Sequence, residues 1–136
     1  EQEVRASTAV SELLAIGRNS KVIELKRIRY LNHDPISLDL SFFPLDIGHK
    51  LLARDLTQDI FPMLENEFAI ELGHADLSIE AMAASESIAE LLNIDIGSSV
   101  LQIQRLVFAK DGTPVDFEYL SYRGDAFKYQ LRVDRR

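Results

Sequence analysis

The sequence predicts an α+β domain, a largely antiparallel sheet of about six strands with helices packed on it. Three observations carry that prediction. Two stretches of the chain repeat one another, each copy reads as a helix followed by a β-hairpin, and apolar residues recur at helical spacing before the hairpins and at alternate positions within them.

Composition sets the frame. A chain of 136 residues, nearly half of them hydrophobic, fits one domain with a sizeable core. No apolar run is long enough to span a membrane and no signal-peptide pattern opens the chain, so a cytoplasmic protein without a membrane partner is expected. Cysteine is absent, which excludes disulfides and thiolate metal sites. The formal charge of -7 makes the chain by itself a poor partner for a phosphate backbone. Glu1 is not a methionine and a helix is expected soon after it, which suggests a fragment or a processed product.

The repeat organises everything else. Residues 6–34 align with 84–112 without a gap, and beyond Thr113 residues 35–46 align with 114–125. Identities include Ser7/Ser85, Leu13/Leu91, Leu14/Leu92, Val22/Val100, Arg27/Arg105 and Pro35/Pro114. A shared hydrophobic pattern does not demand the arginine and proline matches.

Each unit can be read in order. Ser7 and Ser85 are N-cap candidates, because a serine oxygen accepts from the first free N–H groups of a helix. Val10, Leu13 and Leu14, and in the second copy Ile88, Leu91 and Leu92, form a helical stripe. Gly17 and Gly97 mark the breaks. Strands are predicted at about 21–31 and 99–109. They turn at Asn32-His33-Asp34 and Lys110-Asp111-Gly112, and return from Pro35 and Pro114. Between the copies, a helical turn is predicted over Leu51 to Leu56. A helix is predicted over Asp59 to Glu67, capped by Asp59 with Pro62 in its first turn. A strand is predicted over Leu77 to Ala83. A last strand is predicted with Phe127, Tyr129, Leu131 and Val133 on one face.

The chemistry is sparse. His33, His49 and His74 lack metal-ligand spacing, and no nucleophile elbow, phosphate loop or other cofactor motif is present. The constellation that stands out is Arg27, Arg29 and Asp39. The two arginines share a strand face and continue the apolar stripe of Ile23 and Leu25. If Leu31 pairs with Pro35, Asp39 falls opposite Arg27 and diagonal to Arg29. Two guanidiniums can grip a carboxylate or phosphate bidentately. Spacing alone favours a plainer alternative, an exposed cross-strand ion pair of little energetic weight. The second copy keeps Arg105 but has Val107 in place of the second arginine. Asp116, Glu118 and Tyr122 then share a face of the return strand, either as a solvated face or as acid–base groups.

The order of "VIELKRIRYLNHDPISLDLSFFP", "LTQDIFPMLENEFAI" and "SESIAELLNIDIGSSVLQIQRLVFAKDGTPVDFEYLSYRGDAFKYQL" resembles the ligand-sensing UTRA domain of GntR-type transcription regulators, HutC subfamily. The resemblance runs from about Ser7 to Val133. It implies a fold like chorismate lyase and an effector-binding domain of a dimeric repressor. It also implies an N-terminal winged helix-turn-helix, absent from this fragment, that contacts operator DNA. Residue by residue, it places effector-binding groups at Arg27, Arg29, Asp39, Asp59, Phe61, Asp116 and Tyr122. Two positions depart from members that bind sugar phosphates. Asp59 stands where a small hydroxyl residue serves the anion, and Phe61 lacks a phenol. A carboxylate beside a phosphate is repelled. The expected effector is therefore a small anionic or zwitterionic metabolite, with a carboxylate-bearing compound at least as suitable as a phosphosugar. No catalysis and no cofactor are expected. The rival readings are a chorismate-lyase-like enzyme on the same fold and a module that only dimerises.

Overall fold

Serine side chains start both repeat helices. In the computed structural model, which describes residues 2–128 and 130–135, the Ser7 hydroxyl accepts from the Val10 N–H at 3.1 Å and the Ser85 hydroxyl from the Ile88 N–H at 3.3 Å. The elements are β1 (Gln2–Arg5), α1 (Thr8–Leu13), β2 (Lys21–Leu31), β3 (Asp34–Pro44), α2 (Leu45–Leu51), α3 (Ile60–Asn66), β4 (Leu72–Ala83), α4 (Glu86–Leu92), β5 (Ser99–Ala109) and β6 (Pro114–Arg123). One six-stranded sheet has the order β1-β2-β3-β6-β5-β4, with every neighbouring pair antiparallel.

The repeat becomes a local two-fold axis. Leu40 and Tyr119 are equivalent residues of the two copies, and they face each other across the β3–β6 ladder. The axis passes between them, normal to the sheet. The two hairpins also share an irregularity. The register slips between Arg29 and Tyr30 in β2 and between Val107 and Phe108 in β5, which are equivalent positions. Each slip leaves one extra residue on the return strand, a β-bulge.

That bulge corrects one register prediction. Leu31 pairs with Asp34, and Pro35 pairs with Tyr30. The turn is two residues, Asn32 and His33, both at positive φ (50 and 71), which suits the strand twist. The bulge then absorbs the offset, so Arg27 still faces Asp39.

Three predicted elements lie elsewhere. The helix before the central loop runs over Leu45–Leu51 rather than Leu51 to Leu56. Pro44 precedes it with φ -53, a conformation ready for a helix entry where its missing N–H is harmless. The strand predicted from Leu77 begins at Leu72. The predicted last strand is absent over residues 127, 128 and 130–135, and Tyr129 lies outside the described residues. Leu131 and Val133 are exposed there. The sheet edge beside β2 is taken instead by β1, which the sequence reading missed because its four residues, mostly polar, alternate weakly.

Two layers of helix sandwich the sheet. α1 packs with Val22, Phe42 and Phe117 on one face, and α4 packs with Leu38 and Val100 on the same face. α2 and α3 cover the other face, where Ile23, Leu25, Phe43, Val107 and Val115 meet Ile47, Leu51, Ile60, Met63 and Leu64. Burial of these aliphatic and aromatic side chains supplies the main stabilisation, roughly 1.5–3 kcal/mol for each large one. Gly48 lets α2 sit close on β2, since any Cβ there would run into the Ile23 side chain.

Candidate functional site

Strand pairing gathers the polar residues of both copies on the α2/α3 face. Antiparallel partners point to the same side, so Arg27 and Arg29 of β2, Ser37, Asp39 and Ser41 of β3, Glu118 and Tyr122 of β6, and Arg105 of β5 form one continuous array. Asp116 belongs to it, opposite Val107 at the second bulge. The apolar core fills one end of this face and the polar array the other.

A cleft of about 660 Å³ opens over the array, within the range of small-molecule sites. Its floor is Arg27, Arg29, Arg105, Asp116 and Glu118. Its wall is the segment from Leu56 to Phe61, the loop that leads into α3. Asp59 caps that helix, accepting from the Phe61 N–H at 3.2 Å, so the sequence places this wall by ordinary capping chemistry. The Phe61 ring lies against the Arg105 guanidinium, 5.0 Å from Cζ to ring centroid.

The ion pairs within the array are unequal. Arg105 Nε donates to Glu118 Oε1 at 2.7 Å, and the Ser41 hydroxyl donates to Glu118 Oε2 at 3.2 Å. Arg29 Nε lies 3.1 Å from Asp39 Oδ2, with the arginine exposed and the aspartate buried. Arg27 enters no ion pair among the described residues, although it sits directly opposite Asp39. Four buried side-chain atoms have no hydrogen-bond partner among the described residues: Arg27 Nε, Ser37 Oγ, Asp39 Oδ1 and Asp116 Oδ1. All four belong to this array. A buried unpaired polar group costs about 1–3 kcal/mol, and two of the four residues, Arg27 and Asp116, line the cleft.

Burial also shifts the acids. It raises the Asp39 carboxyl above the ordinary aspartate range, against the opposing pull of Arg29 and Arg27. It raises Asp116 further, with adjacent Glu118 adding to the effect. The Tyr122 phenol is raised as well, first by burial and then by Asp39.

Of the seven residues singled out from the sequence, Arg27, Arg29, Asp59, Phe61 and Asp116 line the cleft. Asp39 sits directly beneath Arg29. Tyr122 does not line it; it stands level with Ser37 at the margin, half-buried, its ring 4.6 Å from that of Phe127. Sequence reasoning missed Arg105 and Glu118 as members of the site. The signal was available, because the repeat makes Arg105 the equivalent of Arg27 and Glu118 the equivalent of Asp39. The return strand is not a solvated face either, since Asp116 and Glu118 are both buried. The histidines lie apart: His33 in a turn, His49 at 3.3 Å from Glu3, and His74 stacked on Phe108.

The chain is similar to bacterial transcription regulators. It is 25% identical over 134 residues to the HTH-type transcriptional repressor NagR of Bacillus subtilis, covering 98% of this chain and 55% of that protein. It is 26% identical over 140 residues to a probable fructoselysine utilization operon transcriptional repressor of Escherichia coli, covering 100% of this chain and 56% of that protein. The chain thus spans about half the length of the curated relatives it matches. The crystal structure of a GntR-family transcriptional regulator from Enterococcus faecalis superposes with a TM-score of 0.90 at 25% identity, over 97% of this chain and 95% of that one. The family model of the UTRA domain matches residues 2–128, and the chain therefore belongs to the UTRA domain family.

Proposed function

We propose that this domain binds a small anionic or zwitterionic metabolite and serves as the effector-binding unit of a bacterial GntR-type regulator. One observation carries the reading. Arg27 Nε and Asp116 Oδ1 are both buried and without a partner, and both residues line the same cleft. Arg27 and Arg29 hold the anionic group, and Asp39 and Asp116 take hydroxyl or amine groups. Tyr122 closes the margin beside Asp39. The names of the curated relatives as repressors support a regulatory role over a catalytic one. No helix of the described residues is long and apolar enough to cross a membrane, which accords with action in the cytoplasm.

The wider regulator is part of the same proposal. Operator DNA is contacted by a winged helix-turn-helix outside this chain, since the net charge of -7 disfavours direct contact with DNA. The domain acts as a homodimer. β4 is the long edge strand of the sheet, with Leu77, Ile79 and Met82 exposed, and it is the element best placed to pair with a second copy.

Thermal melts against a metabolite panel test the site, because a ligand that binds only the folded state raises its stability. One chemical class is expected to shift the melt, and Arg27→Ala to abolish that shift. Undiminished stabilisation of Arg27→Ala would remove the site assignment. Turnover of chorismate would replace the binding reading with the enzymatic one.

A further inference from the structure

Two β-forming stretches of the chain have no strand partner among the described residues. One is the outer edge of β4, which ends the sheet order beyond β5. The other is the segment that follows Phe127. Its sequence alternates as a strand does, with Tyr129, Leu131 and Val133 set between Lys128, Gln130 and Arg132, yet it forms no strand over its described residues. Leu131 and Val133 are 69% and 79% exposed, and Leu77 and Ile79 of β4 are 60% and 42% exposed. An open strand edge with bare apolar side chains is a template for another strand.

The two stretches match in pattern and in charge. Leu77 and Ile79 pair with Arg105 and Ile103, so they lie on the cleft face of the sheet, whereas Asp76 and Glu80 pair with Leu106 and Gln102 and lie on the other. The segment divides in the same way, apolar at 131 and 133 and basic at 128 and 132. Every neighbouring pair in the sheet is antiparallel. Laid antiparallel with Leu131 opposite Leu77, the segment sets Arg132 opposite Asp76 and Lys128 opposite Glu80. One register therefore satisfies the apolar stripe and both charge pairs. A slip of one residue turns Leu131 to the acidic face, and a slip of two loses both charge pairs. The other side of the sheet offers no such match, because the part of β2 beyond its pairing with β1 carries Lys26, Arg27 and Arg29, which repel Lys128 and Arg132.

The root of the segment is held away from its own β4. The Phe127 ring lies 4.6 Å from that of Tyr122, and Tyr122 stands two strands in from the edge, since it pairs with Leu101 and Leu101 pairs with Ala81. We propose that residues 128–133 add as an antiparallel strand to β4 of a second copy of this chain, whose own segment docks in return. The exchange rests on the homodimer reading and gives it a segment, a direction and a register. Because each copy gives and receives the same strand, the assembly closes as a two-fold dimer.

The chain has no cysteine, so introduced ones report only on their own positions. With Leu77→Cys and Leu131→Cys in one chain, oxidised glutathione is expected to yield a covalent dimer on non-reducing gels. Gln130→Cys in place of Leu131→Cys faces the other side of the strand and should yield little. An intrachain disulfide without covalent dimer overturns the exchange, because the segment then folds on its own edge. Sedimentation gives a second reading. Lys128→Glu with Arg132→Glu is expected to weaken the dimer about tenfold or more, and adding Asp76→Lys with Glu80→Lys to restore it. All four positions are exposed, so near-native melts are expected. A chain ended after Phe127 keeps the contact with Tyr122 and should be monomeric. A dimer that survives both the truncation and the charge reversal overturns the exchange and leaves a homodimer held by other surfaces. A wild-type chain that stays monomeric overturns both readings.

Discussion

Arg27 and Arg105 are equivalent residues of the two hairpins, yet only Arg105 is held by a carboxylate. Its Nε donates to Glu118 at 2.7 Å, while Arg27 Nε is buried without a partner. The difference separates structure from binding. Arg105→Ala would leave Glu118 buried and uncompensated, and is expected to destabilise the domain by about 3 kcal/mol. Arg27→Ala breaks no ion pair, and is expected to change stability by about 1 kcal/mol or less while removing ligand-induced stabilisation. Chemical denaturation of both variants, with and without ligand, reads the contrast.

Asp116 makes stability depend on pH in a defined direction. Its folded-state pKa is raised, so the folded chain binds more protons than the unfolded one between the ordinary value, about 3.9, and the folded value. Its contribution is therefore fully present at low pH and is lost as pH rises through that window. Asp39 is raised too and acts in the same direction. Asp116→Asn is expected to flatten the loss and to make the ligand-free domain relatively more stable at neutral pH. Urea unfolding across mildly acidic to neutral pH measures the slope.

Asp59 has two consequences that substitution can separate. As the N-cap of α3 it accepts from the Phe61 N–H, so Asp59→Ala is expected to cost about 1 kcal/mol. Asp59→Ser keeps a capping oxygen and removes a negative charge from the cleft wall. Stability should be nearly retained, and affinity for phosphate-bearing probes should increase. Parallel melts and binding titrations of the two variants check this.

Gly48 controls how closely α2 approaches β2. Gly48→Ala would improve helix propensity, by about 1 kcal/mol in an open helix. Here the added methyl would collide with Ile23, which is fully buried, so a net loss of about 1–3 kcal/mol is expected. A lower melting temperature for the variant is the measurement.

β4 tests the proposed dimer. Leu77→Lys together with Ile79→Lys adds charge to exposed positions of the edge strand without touching the described core. If two copies pair along this edge, sedimentation should show the double variant as a monomer with a near-native melt. An unchanged dimer would place the interface elsewhere.

The repeat, the serine caps and the common face of Arg27 and Arg29 were legible because each follows from local rules; Arg27 faces Asp39 as expected only because the bulge offsets the shorter turn. Spacing sets faces, a hydroxyl caps a helix, and two-residue periodicity aligns partners. Arg105 and Glu118 were visible as residues but not as members of the site. Nothing in the order of the chain says that β3 and β6 lie side by side. Nor could the local pattern reveal that β1 occupies a sheet edge, or that the chain beyond Arg123 adds no strand over its described residues.

The sequence by itself determined two similar helix-and-hairpin units, their capping and turn chemistry, and an arginine pair facing an acid. Tertiary structure alone decided that the two hairpins meet at Leu40 and Tyr119. That junction joins the polar faces of the two hairpins, with Ser41 of one copy donating to Glu118 of the other, and lets the segment leading into α3 wall them in. The physical reason is range. Caps, turns and faces depend on neighbours a few residues apart, whereas burial, unpaired charge and a raised carboxyl depend on which strands pair across the whole chain.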